Sequence, residues 1–145
     1  VQYYWPQTPR RLFYASAAGD VLTRPGALEV LPLGGDNGLR GYPLRYQNGS
    51  RRVLLSAEQR VYTDTYAWRL FRVGGAVFAD VGRAWGGPLA PVADAGWLRD
   101  AGVGLRIVST RAASRNVLHV DLAFPMGAPA EVRKVQFLVK TKATF

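Results

Sequence analysis

Phe71-Arg72-Val73-Gly74-Gly75-Ala76-Val77-Phe78-Ala79-Asp80-Val81-Gly82-Arg83-Ala84-Trp85 is the stretch that decides the fold. Phe71, Val73, Val77, Ala79 and Val81 fall on one side of an extended chain, and Arg72, Gly74, Ala76, Phe78, Asp80 and Gly82 on the other. Successive side chains of a strand point to opposite faces, so this segment predicts a strand with one greasy and one polar face. Its glycines suit tight curvature.

The same period of two recurs on both sides. Upstream, Val53, Leu55, Ala57 and Val61 alternate with Ser56, Glu58, Arg60 and Tyr62. Downstream, Val103, Leu105 and Ile107 alternate with Gly102, Gly104 and Arg106, and Leu118, Val120, Leu122 and Phe124 with His119, Asp121 and Ala123. In the final segment Val135, Phe137, Val139, Ala143 and Phe145 oppose Gln136, Lys140, Lys142 and Thr144. Leu12 to Arg24 is a less regular strand, and Val1 to Pro9 is the remnant of an earlier one. No segment has helical periodicity. The expectation is an all-β antiparallel meander of about six strands.

Alternation alone fits a soluble sandwich, with its apolar face in a core, as well as a membrane barrel. No run of eighteen apolar residues is present, which excludes a transmembrane helix. A mean hydropathy near zero leaves a transmembrane barrel open, because lipid-facing and lumen-facing residues average out. Tyr62, Tyr66 and Trp68 near one strand end, with Trp85 and Trp97 bracketing the next long loop, stand where interfacial girdles would need amphipathic rings. Closed outer-membrane barrels start at eight strands, and lipid does not tolerate open edges. A membrane reading therefore makes residues 1–145 the C-terminal portion of one larger barrel, or requires additional copies of the chain to complete it. Val1 follows no charged and apolar leader, so a cut or processed start is expected. The absence of cysteine fits a bacterial envelope.

A net charge of +9 raises the question of nucleic acid. The arginines are spread along the chain rather than clustered on one element, so no nucleic-acid partner is expected; an arginine-lined interior or an anionic lipid surface fits better.

Between two predicted strands lies Gly34-Gly35-Asp36-Asn37-Gly38-Leu39-Arg40-Gly41-Tyr42. Glycines at 34, 35, 38 and 41 permit backbone angles closed to other residues and close passage along a wall. Arg40 projects a rigid five-donor fork suited to a carboxylate. Asp80 is the carboxylate offered about forty residues on. A phosphate-cradling loop is not expected, because Gly-Lys-Ser/Thr and a following helix are missing.

Read in order, these segments resemble the C-terminal half of the barrel of the outer-membrane assembly and two-partner secretion superfamily (BamA-, TamA- and FhaC-type proteins of the bacterial surface antigen family). The resemblance spans roughly Leu31 to Phe145. The family's loop-six signature matches Gly34-Gly35 and Leu39-Arg40-Gly41-Tyr42, and its Phe-x-Asp-x-Gly strand matches Phe78, Asp80 and Gly82. Glu-x-Arg matches Glu58 and Arg60, Gly-x-Gly-x-Arg matches Gly102, Gly104 and Arg106, and Asp-x-Ala-x-Pro matches Asp121, Ala123 and Pro125. Phe145 resembles the terminal residue of the outer-membrane recognition strand. Lys140 stands where that pattern favours glycine, and Leu138 where a polar residue is common.

The resemblance implies that residues 31–50 fold into the lumen as a plug, with Arg40 latched on Asp80 and Glu58, and Arg60, Arg106, His119 and Asp121 as lumen polar groups. It implies a bacterial outer-membrane protein that inserts or translocates client polypeptides, in contact with outer-membrane lipid and lipopolysaccharide. Two other readings stand beside it: a barrel anchoring a fused enzyme such as a patatin-like lipase, and a soluble β-barrel binding an anionic ligand. His119 is the lone histidine and no cysteine can join it, so no metal site is expected. No serine sits in a nucleophile elbow and no acid pair has catalytic spacing, so neither an enzyme nor a cofactor is expected.

Overall fold

The computed structural model describes residues 1–23, 29–67, 69–86, 96–109 and 116–143. Trp68 and Phe145, both singled out in the sequence, lie outside the described residues. The strands are β1 (Gln2–Thr8), β2 (Arg11–Val21), β3 (Leu31–Leu33), β4 (Gln47–Gly49), β5 (Arg51–Ala67), β6 (Phe71–Trp85), β7 (Leu98–Ser109), β8 (Asn116–Met126) and β9 (Gln136–Ala143). No helix occurs among the described residues.

Seven strands form one antiparallel sheet in the order β1-β2-β5-β6-β7-β8-β9, and β3 pairs with β4 inside the long β2–β5 connection. The main sheet therefore has seven strands rather than about six, because β1 pairs with β2 from Gln2↔Ser16 to Thr8↔Arg11, with a shift of register between Pro6 and Thr8. Its sequence hides this: Gln2-Tyr3-Tyr4-Trp5-Pro6-Gln7-Thr8 has no clear two-residue period, and every residue of it is exposed. Proline fits here because β1 is an edge strand.

The connections are unequal. Residues 9–10, 68–70 and 110–115 separate consecutive strands at one end of the sheet, and the longer intervals 22–50, 86–97 and 127–135 separate them at the other. The sheet curls, since Gln2 on β1 and Lys140 on β9 line a single cavity of about 360 Å³. β1 and β9 remain its two edges.

Register fixes what each face carries. Asp80 pairs with Ser56 and Asp100, Arg106 with Gly74 and His119, and Asp121 with Gly104, so the charged positions of four strands share one face. On the other face Val77 pairs with Val103, Val103 with Leu122, and Leu122 with Phe137. The burial is inverted relative to a soluble sandwich. Glu58, Arg60, Asp80, Asp100, Arg106, His119 and Asp121 are buried, while Val77 is 56% and Phe137 66% exposed.

The buried apolar cluster is small and sits at the long-connection end. Leu33, Leu39 and Tyr42 of the loop pack there with Ala84, Leu98 and Val132, flanked by Tyr46 and Leu54. It holds the loop to the wall and does not underlie the whole sheet.

Candidate functional site

Residues 31–50 lie across the charged face. The β3–β4 ladder, Leu31↔Gly49 to Leu33↔Gln47, gives the loop a stiff base. Gln47 fastens that base to the sheet, accepting from the Ala84 amide at 2.9 Å and donating to the Gly96 carbonyl at 3.3 Å. Beyond the ladder the backbone closes on itself: the Leu39 amide donates to Gly34 O at 3.1 Å and the Tyr42 amide to Leu39 O at 3.2 Å. The Asn37 side chain accepts from the Gly34 amide and donates to Pro32 O, at 2.8 and 2.6 Å.

The loop glycines serve mainly for room. Only Gly38 among them has a positive φ, at 129°. Gly41 is the closest approach to the sheet: a Cβ there would stand 2.5 Å from Asp100 Cβ and 3.0 Å from Pro125 N. Gly34 and Gly35 are pinned in the same way, against Pro43 and Tyr42 carbonyls. Of the two roles expected of these glycines, close passage is seen at Gly34, Gly35 and Gly41, and an unusual backbone angle at Gly38.

This close passage delivers Arg40 to the wall. Its guanidinium clasps Asp80 with two bonds, Nε to Oδ2 at 2.7 Å and Nη2 to Oδ1 at 3.0 Å, while Nη1 donates to Glu58 Oε2 at 2.6 Å. The Phe78 ring lies under the guanidinium carbon at 3.4 Å, a cation–π contact. Arg40 is 6% exposed. Burial opposes its charge, but the hydrogen bonds and charges of Asp80 and Glu58 outweigh that and hold its pKa above the ordinary value. The group stays cationic throughout the accessible pH range.

Glu58 is the shared node. Its Oε1 also accepts from Arg60 Nε at 2.7 Å and Arg106 Nε at 2.9 Å. Arg106 is fully buried and donates on to Asp121 Oδ1 at 2.5 Å, while Asp121 Oδ2 stands 3.5 Å from Arg40 Nη1. Three guanidinia thus face three carboxylates, so the cluster is internally balanced. The Gly-x-Gly-x-Arg pattern acquires a cause: a side chain at Gly104 would overlap the Arg106–Asp121 pair, and one at Gly102 would overlap the Phe78 ring.

The remaining expected residues fall around this cluster. Gly82 faces Leu33 of the loop, His119 is buried in register with Arg106 and Lys140, and Tyr42 is buried with its hydroxyl 3.4 Å from Met126 O. Asp121 serves Arg106 more closely than Arg40. Three contributors escaped the sequence reading. Asp100 is buried in register with Asp80, and counting back by twos from Arg106, Gly104 and Gly102 would have placed it on the charged face. Lys140 of β9 donates to the Gly35 carbonyl, tying loop to edge strand. Gln47 had no sequence signal beyond its place before a predicted strand.

The guanidinia of Arg40, Arg60 and Arg106 pair with the carboxylates of Glu58, Asp80 and Asp121, an arrangement that can hold the loop against the sheet, and among the described residues no group of three or more His, Cys, Asp or Glu could hold a metal ion. No family model, no curated protein and no solved structure matches the chain.

Proposed function

We propose that the chain is the C-terminal part of an outer-membrane β-barrel that inserts or translocates polypeptides, with the 31–50 loop as a latched plug in its lumen. The observation that carries this reading is the Arg40 fork bound to Asp80 and Glu58 beneath a loop, on the charged face of a sheet whose apolar face is bare. Exposed rows of Val, Leu and Phe suit hydrocarbon, and buried charge suits a polar lumen. Strands β2, β5, β6, β7 and β8 have 11, 17, 15, 12 and 11 residues, and crossing a bilayer takes about nine to eleven. Short turns at one end and long loops at the other match the periplasmic and outer faces of such barrels. The edges β1 and β9 are then closed by further barrel strands or by additional copies of the chain.

A soluble barrel binding an anion fits less well, because it would leave the apolar rows in water. Reconstitution tests the proposal. The protein should require detergent to remain monodisperse, enter lipid vesicles, and there promote assembly or passage of a client barrel or exoprotein. Arg40→Ala should abolish that promotion while heat-modifiable migration of the barrel persists. Monodispersity without detergent, or full activity of Arg40→Ala, would overturn it.

A further inference from the structure

A second concave site lies on the same inner face at the short-turn end, beside the latch cluster. It is a cavity of about 680 Å³, lined by Tyr4, Tyr14 and Tyr62 together with Arg11, Arg60 and Arg72, and no carboxylate lines it. Register explains the assembly. Tyr4 pairs with Tyr14 and Tyr14 with Glu58, which puts three strands' aromatic and charged positions on one wall. The Tyr4 and Tyr14 rings meet at 4.8 Å. The guanidinium carbon of Arg60 stands 5.6 Å from the Tyr14 ring centre and that of Arg72 5.4 Å from Tyr62, so the cations are spread flat over aromatic faces.

The charge here is in excess. Arg10 at the rim is neutralised by Asp64. Arg72, by contrast, donates to the Thr63 and Pro9 carbonyls, at 3.2 and 3.5 Å, and among the described residues no carboxylate pairs with it. Arg60 belongs to the balanced cluster through Glu58, so it brings a cation to the Tyr14 ring without adding to the excess. A positively charged, ring-lined hollow at the mouth of a polar lumen attracts anions and stacks flat groups.

We propose that this hollow is a docking site for an extended acidic polypeptide segment carrying aromatic side chains, entering from the short-turn end. The inference rests on the proposed handling of polypeptides and specifies which ones. Acidic side chains would meet Arg72, and aromatic rings would pack among the tyrosines. Single-stranded nucleic acid also pairs phosphates with arginine and stacks on tyrosine, but it needs a continuous basic track. Here the lining gathers a few guanidinia in one hollow and offers no such track.

The test uses the full-length protein in detergent micelles, with fluorescence anisotropy of three labelled probes: a peptide alternating Asp and Phe, one alternating Lys and Phe, and oligo-dT. Empty micelles correct for partitioning of the peptides into detergent. The acidic peptide should bind, lose affinity with salt, and bind about tenfold more weakly to Arg72→Ala and to Tyr62→Ala. Arg72→Lys, which keeps the charge but loses the fork, should retain the salt sensitivity and recover part of the affinity. Circular dichroism verifies that each variant keeps its sheet. Equal binding of the basic peptide, binding of oligo-dT in place of the acidic peptide, or unchanged affinity in both truncations would overturn the site. Vesicle insertion and client assembly, measured on the same preparations, separate the two proposals. Loss of the peptide result with intact assembly removes only the docking site, whereas failure to enter vesicles removes the membrane reading itself.

Discussion

Arg40 shows how one side chain can matter more through where it stands than through the energy it adds. Replacing a whole buried ionic cluster with packed apolar residues is often neutral, whereas removing one partner leaves charges stranded, at about 3–5 kcal/mol. In Arg40→Ala the stranded group is Asp80, 3% exposed, because Glu58 keeps Arg60 and Arg106. That cost falls on the loop, since lifting it lets water reach the Asp80 carboxylate while every strand ladder stays paired. Amide hydrogen exchange should therefore accelerate at Leu39 and Tyr42, whose amides close the loop, with β6 and β7 unchanged. Loss of protection across β6 would refute a local latch. Gly41→Ala provides the complementary case, because it leaves all the charges in place. Its Cβ would sit 2.5 Å from Asp100 Cβ, so the loop cannot reach the wall. The same exchange pattern should follow, together with the same loss of client assembly. A Gly41→Ala protein with normal loop protection would show that close approach is not what the glycine provides.

At the scale of elements, the legible parts were those whose period was long enough to count. β5, β6, β7 and β8 announce themselves because each runs eleven residues or more and repeats the apolar–polar alternation several times within that length. β1 does not, because an edge strand exposed on both faces has no reason to alternate. β3 and β4 do not either, since three residues contain no period. The Arg40–Asp80 contact could be anticipated because a glycine-flanked arginine is an unusual thing to place in a loop. Lys140 could not, because its partner is a backbone carbonyl and carbonyls leave no mark in a sequence. Its bond from β9 to Gly35 ties the loop to the edge strand. A charged hydrogen bond of this kind contributes about 1.5–3 kcal/mol. Lys140→Ala should accordingly raise exchange of β9 amides by roughly tenfold or more, and leave the β6–β7 ladder untouched. If β9 protection holds in that variant, the loop and the edge strand are independent.

For the molecule as a whole the decisive property is which face meets which solvent. The row Val77–Val103–Leu122–Phe137 crosses four strands with no charge in it, and the face behind carries the ionic cluster. In water that arrangement would bury charge at a cost and expose grease at a further cost, and no fold gains from both. In a bilayer the two terms change sign together: the rows meet hydrocarbon, and the charges meet a lumen where they pair. Val77 lies near the middle of β6, so in that setting it sits close to the bilayer midplane. Val77→Lys should then weaken insertion into vesicles by about 2–4 kcal/mol, with Val77→Thr much nearer neutral. Equilibrium refolding into lipid vesicles at graded urea reads both values. A soluble protein predicts the reverse, since a lysine added to an exposed apolar face improves solubility and leaves stability within about 0.5 kcal/mol. A shift confined to Val77→Lys, and repeated at Val103 on the paired strand, would place the whole row in lipid; no shift at either position would return the sheet to water.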